Sequence, residues 1–231
     1  MIENFEKDIE NIKNISFSEK KIRKESLKIF NELGFPNRRL EDWKFTDFNK
    51  IISENFKEIE TKFIFEKKNK IKLIDSFEHN SIILIDGNLS ESNFKFEDQN
   101  MFKIINYNYN ELDINQSKNS LINLNNALSQ GGYSLEIFNN YKFNKPLVVY
   151  NFFLNNVKNK IINNKNLIKV NNNSKLEILE LNSDNSKHNF IYNNYTSISV
   201  GKNATFKNYS LQGCKSNGFF HKYIKGHLKQ E

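Results

Sequence analysis

The sequence predicts a mainly β chain in which a parallel β-solenoid follows a helical N-terminal region. Three observations point there. Apolar side chains recur at steps of three and four through the first 34 residues. From residue 129 onward nearly every segment alternates as a strand does. Two of those segments repeat one layout thirty residues apart. The 231 residues divide on this reading into helices and short strands at 1–128 and a β core at 129–231.

Ile2, Phe5, Ile9 and Ile12 mark an amphipathic helix over 2–14. A second helix follows, with Ser18 expected at its N-cap. Ile22, Ser26, Ile29, Phe30 and Leu33 share one of its faces. Gly34 stands where a C-cap belongs, and Pro36 blocks continuation. Beyond residue 60 the period changes. "TKFIFE", "IKLID", "SIILIDG" and "MFKIINY" are short, β-branched or aromatic, and bounded by turn residues, so they read as strands. Leu121, Leu124, Ala127 and Leu128 predict one more helix over 119–128.

The rest is β: "GGYSLEIF", "KPLVVYNFF", "NLIKV", "KLEILEL", "NFIYNNYTSISV" and "ATFKNYSL". Such a run is compatible with a sandwich, a barrel or a solenoid. The layout shared by "NNNSKLEILEL" and "VGKNATFKNYSL" favours the solenoid. In each, a turn leads to Ser174 or Ala204 and then to an alternating strand headed by Leu176 or Phe206. Asn suits such turns because it tolerates left-handed backbone.

Composition sets limits on function. The hydrophobic fraction is 38%, yet 21 Phe and 9 Tyr supply bulky core residues, so the chain is expected to fold rather than stay disordered. The net charge is +7, with no acid between residues 141 and 175. Frequent Lys, Asn and Ile follow equally from AT-rich codons, and no nucleic-acid motif accompanies them, so no nucleic-acid partner is expected. The single Cys, Cys214, cannot make an internal disulfide, which fits a reducing compartment. The start "MIENFEKDIE" is acidic, unlike a signal or transit peptide, and no apolar run reaches membrane-spanning length. A cytoplasmic protein without a membrane partner is expected.

Candidate chemistry is sparse. Of the four His, His221 and His227 lie six apart with no further ligand in sequence to complete a metal site. Cys214, beside Gly213, could accept sulfur or ligate iron, but reads first as a small, partly buried side chain. There is no G-x-S-x-G and no glycine-rich phosphate loop. A solenoid glycosidase or lyase would need paired acids on one strand face. Glu177 and Glu180 differ by three and so point to opposite faces.

One stretch stands apart. "FPNRRLEDWKFTDF" holds the only Trp and one of two Pro. Arg38 and Arg39 offer two guanidinium forks, with Glu41 and Asp42 as expected partners, and the Trp43 ring could take an Arg or Lys. It lacks a nucleophile, so it reads as a structural joint. "GFPNRRLEDWKFTDF" resembles the N-terminal signature of the SufD branch of the SufB/SufD family of iron–sulfur cluster assembly scaffold proteins. Arg38 or Arg39, Glu41, Trp43, Lys44, Phe45 and Thr46 fill that signature. "LNNALSQGGYSLEIFNNYKFNKPLVVYNFF" and "SISVGKNATFKNYSLQ" resemble later family blocks, in the same order.

The resemblance implies a right-handed parallel β-helix between N- and C-terminal helical segments. It implies a scaffold without enzymatic activity. Its partners would be a SufB-like paralogue and the SufC-like ABC ATPase, with sulfur delivered by a cysteine desulfurase system. The iron–sulfur cluster would be assembled transiently by the full complex, and a flavin is associated with that assembly rather than with this chain alone. The family's further coils and C-terminal helices have no counterpart before Glu231, so the β-helix is expected to be incomplete. No catalytic or ligand residue carries over. Cys214 and His221 stay as candidates for a role of their own. The alternatives are a β-solenoid carbohydrate-active enzyme and, below it, a basic nucleic-acid-binding module.

Overall fold

The computed structural model describes residues 3–13, 15–61, 72–107, 117–184, 186–213 and 216–229. It opens with helices α1 (Glu3–Glu10) and α2 (Phe17–Leu33), a 3₁₀ turn (Glu41–Trp43) and helix α3 (Phe48–Asn55). Strands β1 (Asn80–Ile85), β2 (Asn88–Asn93) and β3 (Phe102–Asn106) come next, then α4 (Ser120–Leu128). Strands β4 (Tyr133–Ile137), β5 (Leu147–Phe153), β6 (Ile161–Val170), β7 (Lys175–Asp184), β8 (Phe190–Val200), β9 (Thr205–Gln212) and β10 (Gly218–Leu228) complete it.

From β4 to β10 the chain alternates between two sheets. One runs β2-β1-β5-β7-β9, the other β10-β8-β6-β4-β3. Successive strands in each are parallel, which makes a β-solenoid of about three turns. The thirty-residue layout is its coil: Lys175 pairs with Thr205, and Leu176 with Phe206. The rungs stack at the turns too. Asn140, Asn173 and Asn203 all take positive φ, and Asn173 Nδ2 donates to Asn140 Oδ1 at 2.8 Å. Asn fits here because its short polar side chain lessens the cost of left-handed backbone.

Three layers result. Leu147, Val149, Leu176 and Ile178 of the first sheet meet Leu135, Ile137, Ile168, Val170 and Ile198 of the second. Toward the other end of the coil the space between the sheets turns polar. Asn164, Asn166 and Asn194 point inward there and are buried. Glu180 is paired with Lys222 and accepts from Asn151 Nδ2 at 3.3 Å. Burial, and then the Glu180 charge, push the Tyr133 and Tyr192 phenols up, so both stay neutral.

The helices form the third layer, on the outer face of the second sheet. Phe5, Ile9, Leu27, Phe30, Phe48, Ile52 and Leu124 close over Ile161 and Ile191, and Phe219 packs against the same cluster. These three strand residues are register neighbours on β6, β8 and β10, so one helical layer spans three successive coils.

Several local expectations change. Ser16 caps α2, and Ser18 does not. The Ser16 hydroxyl accepts from Glu19 N–H at 3.0 Å, with a Glu three positions on as in a capping box. Gly34 does end the helix, at φ 69°. The first helix is shorter than 2–14, because Asn11 and Ile12 lie in a turn; Ile2 and Asn14 lie outside the described residues. Residues 72–75 of "IKLID" form no strand, and residues 62–66 and 71 lie outside the described residues. Strands β2 and β10 and the first half of β6 were not expected.

Gly132 immediately precedes β4 and lies against the backbone of β6. A Cβ there would lie 1.9 Å from the Lys165 carbonyl oxygen, at φ 117°. Gly132→Ala should therefore cost at least about 2–3 kcal/mol in chemical denaturation, because backbone meets backbone and neither can retreat.

Candidate functional site

The 34–48 stretch has two halves of different character. One half is structural. The Phe35 ring meets Phe30 edge-on at 5.1 Å, and Pro36 is buried. The Pro36 carbonyl accepts from Asn49 N–H at 3.0 Å. Asp47 caps α3, its carboxylate accepting from Lys50 N–H at 2.9 Å. Successive tight turns run between these anchors: Leu40 N–H to Asn37, Trp43 to Leu40, Lys44 to Glu41 and Thr46 to Trp43. With three residues per turn, Trp43 is directed inward while its neighbours face water.

The inward ring reaches the solenoid. Trp43 packs edge-on against Phe48 at 5.7 Å and stacks on His221 of β10 at 5.5 Å, with 30° between the planes. Two residues singled out separately in the sequence are thus in contact, although they lie at opposite ends of the chain. The expectation that Trp43 would carry an Arg or Lys is corrected: an imidazole takes that place.

A hydrogen-bond chain fixes the imidazole. Asn193 Nδ2 donates to Asn163 Oδ1 and to the Leu121 carbonyl, both at 2.8 Å. Its Oδ1 is left to accept from His221 Nδ1 at 2.8 Å. The neutral ring therefore carries its proton on Nδ1. Asn163, Asn193 and His221 are register partners on β6, β8 and β10, so this is a polar ladder crossing three coils beneath α4. Helix α4 is tied to the same ladder. Asn125 Nδ2 donates to the carbonyls of Asn164 at 2.9 Å and Asn193 at 2.8 Å. The buried Arg23 of α2 in turn donates to the Ala127 carbonyl at 2.9 Å and pairs with Glu19. From α2 to β10 every link is a hydrogen bond or a ring contact in partly or fully buried surroundings.

The other half of the stretch is exposed. Arg38, Arg39, Glu41, Lys44, Phe45 and Thr46 all face solvent. Glu41 pairs with Lys44 at 2.8 Å rather than with either Arg, and neither guanidinium has an ion-pair partner among the described residues. The Lys44 ammonium lies 5.3 Å from the Phe45 ring centre. Exposed pairs of this kind contribute at most about 1 kcal/mol.

The remaining candidates are dispersed. Cys214 lies outside the described residues. Among the described residues no three His, Cys, Asp or Glu gather as a metal site. Glu180 points between the sheets, while Glu177 pairs with Lys175 and Lys207 on the opposite face. What the sequence reading missed is the supporting set: Arg23, Asn125 and Asn193. A buried Asn reads as a turn residue until its rung is known, so only the thirty-residue offset from Asn163 to Asn193 could have signalled it.

Residues 1–78 match the family model described as SufBD protein N-terminal region. The matched segment contains α1, α2, the Trp43 turn and α3. It supports the SufB/SufD family and does not separate SufD from SufB. No curated protein matches the chain.

Two outcomes follow from the joint. Trp43→Ala should lower the unfolding free energy by about 2–3 kcal/mol, below the cost of a fully buried Trp, while Trp43→Phe retains most of it. The second concerns pH. Burial holds His221 down, to about 4 from its ordinary 6.5. Between those values the unfolded chain binds the extra proton and the folded one does not. Stability is full above about 6.5 and falls toward pH 4, by at most about 1.4 kcal/mol per pH unit. Unfolding curves across that window should lose this slope in His221→Gln.

Proposed function

We propose that the chain belongs to a SufD-like scaffold subunit of the Suf iron–sulfur cluster assembly machinery. In this reading it has no catalytic step of its own. It pairs with a SufB-like paralogue and docks a SufC-like ABC ATPase, with sulfur supplied by a cysteine desulfurase system and the cluster as cargo of the whole complex. The observation that carries the reading is the family match over the segment whose Trp43 turn locks onto the β-solenoid. A scaffold needs rigid placement rather than a reactive group, and the Arg23–Asn125–Asn193–His221 connection supplies rigidity. Within the signature, Trp43 then serves as the joint, while its neighbours face solvent.

The carbohydrate-active alternative lacks support, because Glu177 and Glu180 are each paired with Lys on opposite sides of their sheet. The nucleic-acid alternative gains no motif from the structure.

The test is co-expression of the open reading frame, carried through any coding sequence that follows Glu231, with SufB- and SufC-like proteins of the same source. The tagged chain should retain both through size exclusion. Elution of the chain with neither would overturn the assignment.

A further inference from the structure

Helix α2 presents a buried and an exposed face. Leu27 and Phe30 are buried against α1 and α4. Adjoining that side, Phe17, Lys20, Lys21, Lys24 and Lys28 fall within a stripe about 100° wide at the helical repeat. The same residues, with Glu25, line a shallow groove of about 360 Å³. Phe17 is 87% exposed, the largest value among the large apolar side chains of the described residues, and it lies at the first turn, where nothing in the helix packing holds it. Glu10 of α1 pairs with Lys20 and Lys24, so Lys21 and Lys28 are the cations of the stripe without an ion pair among the described residues.

We propose that this face of α2 docks on an anionic lipid surface. The stripe contains lysines but no arginine. Ammonium groups on flexible stems are point charges without the fork that reads a shaped carboxylate or phosphate site. They suit a diffuse planar potential such as an acidic leaflet presents. Phe17 favours lipid over duplex nucleic acid. Against a closed duplex an aromatic ring finds no free base to stack on, whereas at a bilayer it enters the headgroup boundary beside the lysines. The contact is peripheral, since no helix of the described residues is long and apolar enough to cross a membrane. Attraction acts over about 8 Å at physiological salt, so the stripe must lie against the headgroups to be felt. The inference stands apart from the scaffold reading, which does not require it.

The full chain is sedimented with vesicles of phosphatidylcholine alone and of phosphatidylcholine mixed with phosphatidylserine. It should pellet with the mixed vesicles only, and less as salt is raised. Each lysine near such a surface is worth about fivefold in partition, so Lys21→Glu with Lys28→Glu should cut binding more than about tenfold. Phe17→Ala should weaken binding about threefold or more without changing its salt dependence. All three positions are at the surface, and circular dichroism checks that both variants keep the fold. Failure to pellet, or equal pelleting with phosphatidylcholine alone, overturns the proposal. So does undiminished binding by Phe17→Ala together with lysine-dependent binding to duplex DNA, which would assign the stripe to nucleic acid instead.

Discussion

Everything in the molecule depends on covering the outer face of the second sheet. Its first rows on β6, β8 and β10 are apolar: Ile161, Ile191 and Phe219. Solenoid coils bury their inner faces against each other, but an apolar outer row needs a separate cover. The helices provide it, and the price is a set of helix ends and polar side chains that must find partners. Asn125, Asn193 and Arg23 are how those partners are found. The helices and the second sheet of the solenoid thus pack through one hydrophobic cluster, separate from the core between the two sheets.

The contact of Trp43 with His221 belongs to the same logic. The layer must end somewhere along β10, and an indole over an imidazole closes that edge while leaving the ring nitrogen free to bond Asn193. A charged residue in place of His221 would have to lose its hydration there, and burial already disfavours the imidazolium. Burial keeps the joint neutral down to about pH 4.

Much of this architecture was legible. The Gly34 cap, α4 and the thirty-residue coil follow from spacing alone, since period and turn chemistry are local. The expected α2 face is half right: Ser26 and Phe30 are buried, but Leu33 is exposed, Ile22 and Ile29 are half-buried, and Arg23 and Leu27 complete the buried side. Three features were hidden, each for a physical reason. The first half of β6, "IINNKN", is buried on both faces, so it shows no alternation and looks like a loop. Strand β10 begins with Phe219 under the helices and Phe220 between the sheets, then turns polar where both covers end. The Ser16 cap competed with Ser18, and only Glu19 at the third helical position separates them. The boundary drawn after residue 128 follows the end of α4, while β1, β2 and β3 from before it are built into the two sheets. At the joint, the sequence marked both Trp43 and His221 but could not pair them, because a contact across most of the chain length leaves no local trace.

The central claim is that the Trp43 turn and the last described strand stabilise one another directly. A double-mutant cycle of Trp43→Ala and His221→Ala, read by equilibrium denaturation at neutral pH, tests it. Aromatic pairs in such cycles couple by about 0.5–1.5 kcal/mol, and the shared core predicts a value in that range. Strict additivity, with coupling below about 0.3 kcal/mol, would mean that the two rings are neighbours without being a joint.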